Sequence, residues 1–133
     1  MTGAARLRLD PPQIRRVAIA SGSAVMRAQI AGWLGARPGL QPAGFAADAD
    51  QVLRLLAHAR PECLVLDLDM PTLASPAALE GLAAAAPDLR IVVTVADGSP
   101  RRAWPRPAGV VDCLQRPAVD DLSGQAAFQD ALL

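Results

Sequence analysis

Residues 63–66 read CLVL, apolar at every position, and run directly into Asp67. A strand apolar on both faces needs cover on both faces, which is the situation of a central strand in a parallel sheet flanked by helices. Short apolar runs recur at 16–20 (RVAIA), 91–95 (IVVTV) and 110–114 (VVDCL), and 40–46 (LQPAGFA) supplies a further strand weakened by Pro42. Helical spacing fills the gaps. Ser23 reads as an N-cap with Met26, Ile30, Trp33 and Leu34 on one face, and Arg37-Pro38-Gly39 stops that helix. A second helix runs from Asp50 with Val52, Leu55, Leu56 and Ala59 and ends before Pro61; a third spans 76–85 with Leu79 and Leu82 inward; a last one spans 119–132 with Leu122, Phe128 and Leu132. Strands alternating with helices predict an α/β chain with a five-stranded, doubly wound parallel sheet in three layers.

In such sheets ligands bind beyond the carboxyl ends of the strands. The segments expected at that edge are Ser21-Gly22, Asp67, Val95-Ala96 and Gln115-Arg116-Pro117. Residues 1–13 contain Asp10-Pro11-Pro12 and no sustained periodicity, so they read as a tail ahead of a single domain over 14–132.

Composition narrows the function. Thirteen arginines balance thirteen acids, giving a formal net charge of zero that recommends neither nucleic acid nor an acidic membrane as partner. No apolar run has the span of a membrane helix, and no signal pattern opens the chain. Cys63 and Cys113 lie in apolar runs and read as buried reduced thiols rather than a disulfide, which fits a cytoplasmic protein. His58, the only histidine, falls on the polar side of the second helix, and no Cys/His spacing suits a metal. The chain has no lysine and no tyrosine.

Four segments in order carry a resemblance: SAVMRAQIAGWL, RPGLQPAGFAADADQVLRLL, RPECLVLDLDMP and GVVDCLQRPA. With Asp67 ahead of Met70-Pro71 and a later basic-Pro pair, the chain resembles the receiver domain of two-component response regulators, in flavour that of chemotaxis methylesterases and helix-turn-helix regulators. The resemblance implies a flavodoxin-like (CheY-like) sheet in the order 2-1-3-4-5. It also implies an aspartate that accepts a phosphoryl group, an acidic pair holding Mg²⁺, and a Thr or Ser and a Lys gripping phosphate oxygens. Positioning and charge neutralisation are what that transfer requires.

Carried over by position, Asp67 matches the phospho-acceptor. The acidic pair falls on Ser21 and Gly22, which carry no carboxylate. The Thr/Ser position falls on Val95, or on Thr94 if the strand slips by one. The Lys position is Arg116, followed by Pro117 as in the family, where that bond is cis; the aromatic switch position is Cys113. A chain without lysine would carry Arg at 116 in any case, whereas its eleven aspartates show that no such bias removed the acidic pair. The sequence therefore reads as an atypical pseudo-receiver, not an enzyme, that binds a protein partner and uses no cofactor, or Mg²⁺ only weakly. Two alternatives stay open: a working phosphorelay receiver phosphorylated on Asp67 by a histidine kinase, and a sensor of a small anion near Ser21, Asp67 and Arg116.

Between the fourth and fifth strands, DGSPRRAWPRPAGV carries Pro100, Pro105 and Pro107, so the family's fourth helix shrinks to about one turn around 101–104. Arg101, Arg102, Trp104 and Arg106 form either an interaction patch or a Trp folded onto the core with solvated arginines around it. The resemblance points to self-association or partner binding through the face of strand four, strand five and the last helix. Ser21-Gly22-Ser23 is either an anion cradle or an ordinary cap at Ser23. Arg116 is expected to pair with Asp67, and Asp69 to offer only its carbonyl with its side chain toward solvent.

Overall fold

The computed structural model describes residues 14–118 and 120–133, so the tail reading of 1–13 lies outside the described residues. Five strands are present: β1 (Arg15–Ala20), β2 (Leu40–Ala46), β3 (Cys63–Asp67), β4 (Arg90–Val95) and β5 (Val110–Gln115). They form one parallel sheet in the order β2-β1-β3-β4-β5, the order the resemblance implies. Four α-helices cover it: α1 (Ala24–Gly35), α2 (Ala49–Ala59), α3 (Pro76–Ala85) and α4 (Leu122–Leu132).

The period of two along each strand splits the core into two layers. Val17, Ile19, Cys63, Val65 and Val92 point to one face, where Met26, Ile30, Trp33 and Leu34 of α1 meet Phe128 and Leu132 of α4. Trp33 and Phe128 pack edge to face with centroids 5.6 Å apart. Ala18, Ala20, Leu64, Leu66, Ile91, Val93 and Val95 point to the other face, under Val52 of α2 and Leu79, Leu82 and Ala83 of α3. Every residue of β3 is buried, as a central strand's must be.

Helix starts follow side-chain caps that satisfy otherwise orphaned amides. Ser23 accepts from the Met26 amide and Ser75 from the Ala78 amide, both at 3.2 Å. Asp48 accepts from the Gln51 amide at 2.8 Å, so α2 begins at Ala49, one residue before the expected start. Asp121 accepts from the Gly124 amide at 2.9 Å and starts α4 at Leu122 rather than 119. Leu122, expected in the core, is 77% exposed, because it occupies the first position after that cap. Between β4 and β5 a single 3-10 turn, Pro100–Ala103, stands where a helix shortened to about one turn was expected.

Pro42 is accommodated in an edge strand beside a bulge, where the β1–β2 register steps from Val17↔Pro42 to Ala18↔Gly44. Gly44 there has φ +143°, and an added Cβ would meet Leu55 Cδ1 at 2.5 Å. Gly44→Ala should cost roughly 1–2 kcal/mol, mostly backbone strain because the Leu55 methyl can turn away. Gly81→Ala, in α3 with open space around the new methyl, should instead stabilise by up to ~1 kcal/mol. Urea midpoints of both variants check the opposite signs.

Cys63 and Cys113 are both buried and unpaired. Burial pushes the Cys63 thiol up, against the opposing pull of nearby Arg15. The native state thus holds that proton more tightly than the unfolded chain. Its contribution to stability is present below the ordinary thiol range of about 8.5 and falls as pH rises through it. Native Cys63 should resist iodoacetamide at pH 8.5 and react once the chain is unfolded in urea, as peptide mass mapping would show.

Candidate functional site

The carboxyl ends of β1, β3, β4 and β5 bring Ser21, Asp67, Val95 and Arg116 to one edge of the sheet. Asp67 closes β3 with its side chain only 8% exposed, so its carboxylate needs partners from the protein. Three are present. Ser21 Oγ donates to Oδ2 at 2.8 Å, the Asp69 amide donates to Oδ1 at 2.9 Å, and Arg116 Nη2 donates to Oδ1 at 3.0 Å. The expected Arg116–Asp67 pair therefore forms.

Ser21 is fully buried and wired on both sides: its Oγ also accepts from the Ser23 amide at 3.2 Å, and its carbonyl accepts from Arg27 at 2.7 Å. Ser23 serves α1 as its cap, which is the ordinary-cap alternative of the sequence reading. Gly22 is exposed, and a Cβ built on it would meet nothing closer than 3.8 Å. An open cleft of about 340 Å³ is lined by Gly22, Ser23, Asp67, Asp69, Met70, Pro71 and Arg116.

Asp69 departs from the expectation. Its side chain turns inward: Oδ2 accepts from the Ala96 amide at 2.7 Å and Oδ1 from Ser99 Oγ at 2.5 Å. Arg116 Nη2 lies 3.7 Å from Asp69 Oδ2, so one guanidinium faces both carboxylates. The reason is the loop after β4, whose amide and serine face the loop after β3 and would otherwise lack acceptors.

The Thr/Ser position resolves to two side chains that both miss Asp67. Val95 is fully buried on the α2–α3 face. Thr94 pairs with Asp67 in the ladder, but its hydroxyl is buried and makes no hydrogen bond among the described residues. Cys113, at the switch position, is buried in β5. None of the described peptide bonds is cis, and the Arg116–Pro117 bond differs in this from the family pattern.

The arginine-tryptophan patch is corrected in part. Arg101 is not a solvated cation: its Nη1 lies 2.6 Å from the Leu68 carbonyl and 2.8 Å from those of Met70 and Leu73. Leu68, Met70 and Leu73 are buried, and Arg101 gives their carbonyls a shared donor. Its guanidinium also stacks 5.1 Å from the centroid of Trp104, which is half-buried against the core. Only Arg102 and Arg106 remain exposed. Sequence reasoning missed Ser99 and the roles of Arg101 and Asp69, since their partners lie some thirty positions away with no local motif to announce them. His58 is exposed, as expected.

A Mg²⁺ ion takes near-octahedral oxygen ligands. The donors here do not fit it: Ser21 and Gly22 bring no carboxylate, and Asp67 and Asp69 share the Arg116 guanidinium. Among the described residues no group of three or more His, Cys, Asp or Glu could hold a metal ion.

No protein-family model matches the chain. It is 32% identical over 121 residues to protein-glutamate methylesterase/protein-glutamine glutaminase 2 of Caulobacter vibrioides, covering 89% of this chain and 35% of that protein. It is 31% identical over 123 residues to the corresponding protein of Maricaulis maris, covering 90% of this chain and 31% of that protein. The chain thus spans about a third of the curated relatives it matches. Among solved structures, the response regulator domain of Thermotoga maritima CheB superposes with a TM-score of 0.74 at 21% identity, covering 90% of this chain and 94% of that one. CheY6 of R. sphaeroides, in complex with the P1 domain of CheA3, gives a TM-score of 0.69 at 22% identity, covering 90% and 97%. The chain has the CheY-like fold of response-regulator receiver domains. Its likeness in sequence is to methylesterase proteins of the CheB kind.

If Asp67 and Arg116 are a coupled pair rather than neighbours, their substitutions will not add. Arg116→Ala should destabilise by roughly 1–3 kcal/mol because a mostly buried carboxylate loses its cation. A cycle with Asp67→Asn should show a coupling of about 0.5–3 kcal/mol by urea unfolding; additivity within a few tenths would dismiss the pair.

Proposed function

We propose that this chain is a signalling module of the receiver type that works by binding another protein, in the cytoplasm, without Mg²⁺-assisted phosphorylation of Asp67 and without enzymatic activity of its own. One observation carries the reading: both oxygens of Asp67 are already engaged, Oδ2 by Ser21 and Oδ1 by the Asp69 amide and Arg116. Where the family has acids to hold a metal beside the acceptor, this chain has a hydroxyl that donates to it. An incoming phosphoryl group brings negative charge, and its transfer depends on a positioned cation that shields it. Among the described residues Arg116 is the cation ion-paired with Asp67, and its charge is shared between Asp67 and Asp69.

That sharing also speaks against the anion-sensor alternative, because the cleft's guanidinium already faces two carboxylates. A protein partner is supported by the solved neighbour in which CheY6 is bound to the P1 domain of CheA3. The methylesterase and glutaminase activities named for the relatives are not carried over, since this chain matches about a third of their length.

With acetyl phosphate and Mg²⁺, intact mass spectrometry should show no gain of a phosphoryl group. At ~10 mM, Mg²⁺ should shift the thermal midpoint by less than about 2 °C relative to EDTA at matched ionic strength. Uptake of one phosphoryl group that is lost in Asp67→Asn would overturn the reading. Ser21→Asp with Gly22→Asp should create a Mg²⁺-dependent midpoint, Gly22 having room for the new side chain.

A further inference from the structure

We propose that residues 104–107, Trp-Pro-Arg-Pro, form a preorganised recognition strip for an acidic groove lined with aromatic side chains on a partner protein. The proposal rests on the protein-binding reading above and is independent of whether Asp67 takes up phosphate.

The strip's backbone is constrained from within. Trp104 has φ −60° and ψ 140°, inside the polyproline II region. The rings of Pro105 and Pro107 hold their own φ near −65°, and Arg106, preceding a proline, is held out of the helical region. Both ends are also anchored. The Trp104 amide donates to the Arg101 carbonyl at 3.1 Å, and the Val110 amide donates to the Pro107 carbonyl at 3.2 Å. Arg101 fastens the entry to the carbonyls of Leu68, Met70 and Leu73, and Ser99 fastens it to Asp69. A segment ordered beforehand loses little conformational freedom on binding, which is the advantage of polyproline ligands in aromatic grooves.

The chemistry on display is cationic and apolar. Residues 99–110 hold three arginines and no acid. Arg101 is turned inward, whereas Arg102, Pro105 and Arg106 are exposed. Neither Arg102 nor Arg106 has an ion-pair partner among the described residues. An acidic groove complements two free guanidiniums, and its aromatic walls complement Pro105 and the exposed part of Trp104. Nucleic acid is the weaker match, since two cations on a chain of zero formal charge neutralise too few phosphates for useful affinity.

The test pans the full chain against a displayed library of random peptides. Enriched peptides should combine Asp or Glu with Trp, Tyr or Phe, and should bind Arg102→Glu/Arg106→Glu at least about tenfold more weakly than the parent. Pro105→Ala, which loosens the strip without removing charge, should weaken the same peptides several-fold while leaving the thermal midpoint unchanged. Five results would each overturn the proposal. Enriched peptides that lack acids or ignore these substitutions would do so, as would no enrichment on folded protein. So would arginine-dependent binding of a labelled random-sequence RNA, or concentration-dependent self-association lost in the double variant. Phosphoryl uptake by Asp67 would leave the strip untouched and count only against the function proposed above.

Discussion

The burial of β3 on both faces is the constraint from which the rest follows. A strand held between β1 and β4 and covered by helices above and below ends in a residue whose side chain is only 8% exposed. That residue is Asp67, and an ionisable side chain there must be hydrogen-bonded by its surroundings. Ser21 from the end of β1, the amide of Asp69 and Arg116 from the end of β5 meet that need together. The partners come from three connections because the strand order places the ends of β1 and β5 on either side of β3.

The loops after β3 and β4 are bound by the same logic. Proline keeps the segment after β4 from forming a full helix, leaving a 3-10 turn that cannot satisfy the neighbouring loop by packing alone. Side chains take over: Arg101 reaches three carbonyls, and Asp69 accepts from Ala96 and Ser99. Arginine suits both places. At 116 a single nitrogen, Nη2, faces both carboxylates; at 101 a single nitrogen, Nη1, faces three carbonyls while the planar guanidinium stacks on Trp104, which an ammonium would not do in the same way.

Much of this was determined by the sequence alone. Apolar runs of strand length between helical segments specify a parallel sheet because burial on two faces admits no polar alternation, and Cys63 to Leu66 show it most plainly. The position of Asp67 at a strand end was legible for similar local reasons, whereas the significance of Ser21 and Gly22 and of the helix shortened at three prolines came from the resemblance to receiver domains. The tertiary structure decided what depends on distance in space. Leu122 looked like core until the Asp121 cap set the start of its helix and turned it to solvent. Asp69 looked solvent-facing until the Ala96 amide and Ser99 came opposite it, and Arg101 looked like a surface charge until three carbonyls gathered around it. Hydrophobic periodicity is written in neighbouring residues, whereas the pairing of polar groups is settled only when chain segments some thirty residues apart are brought together.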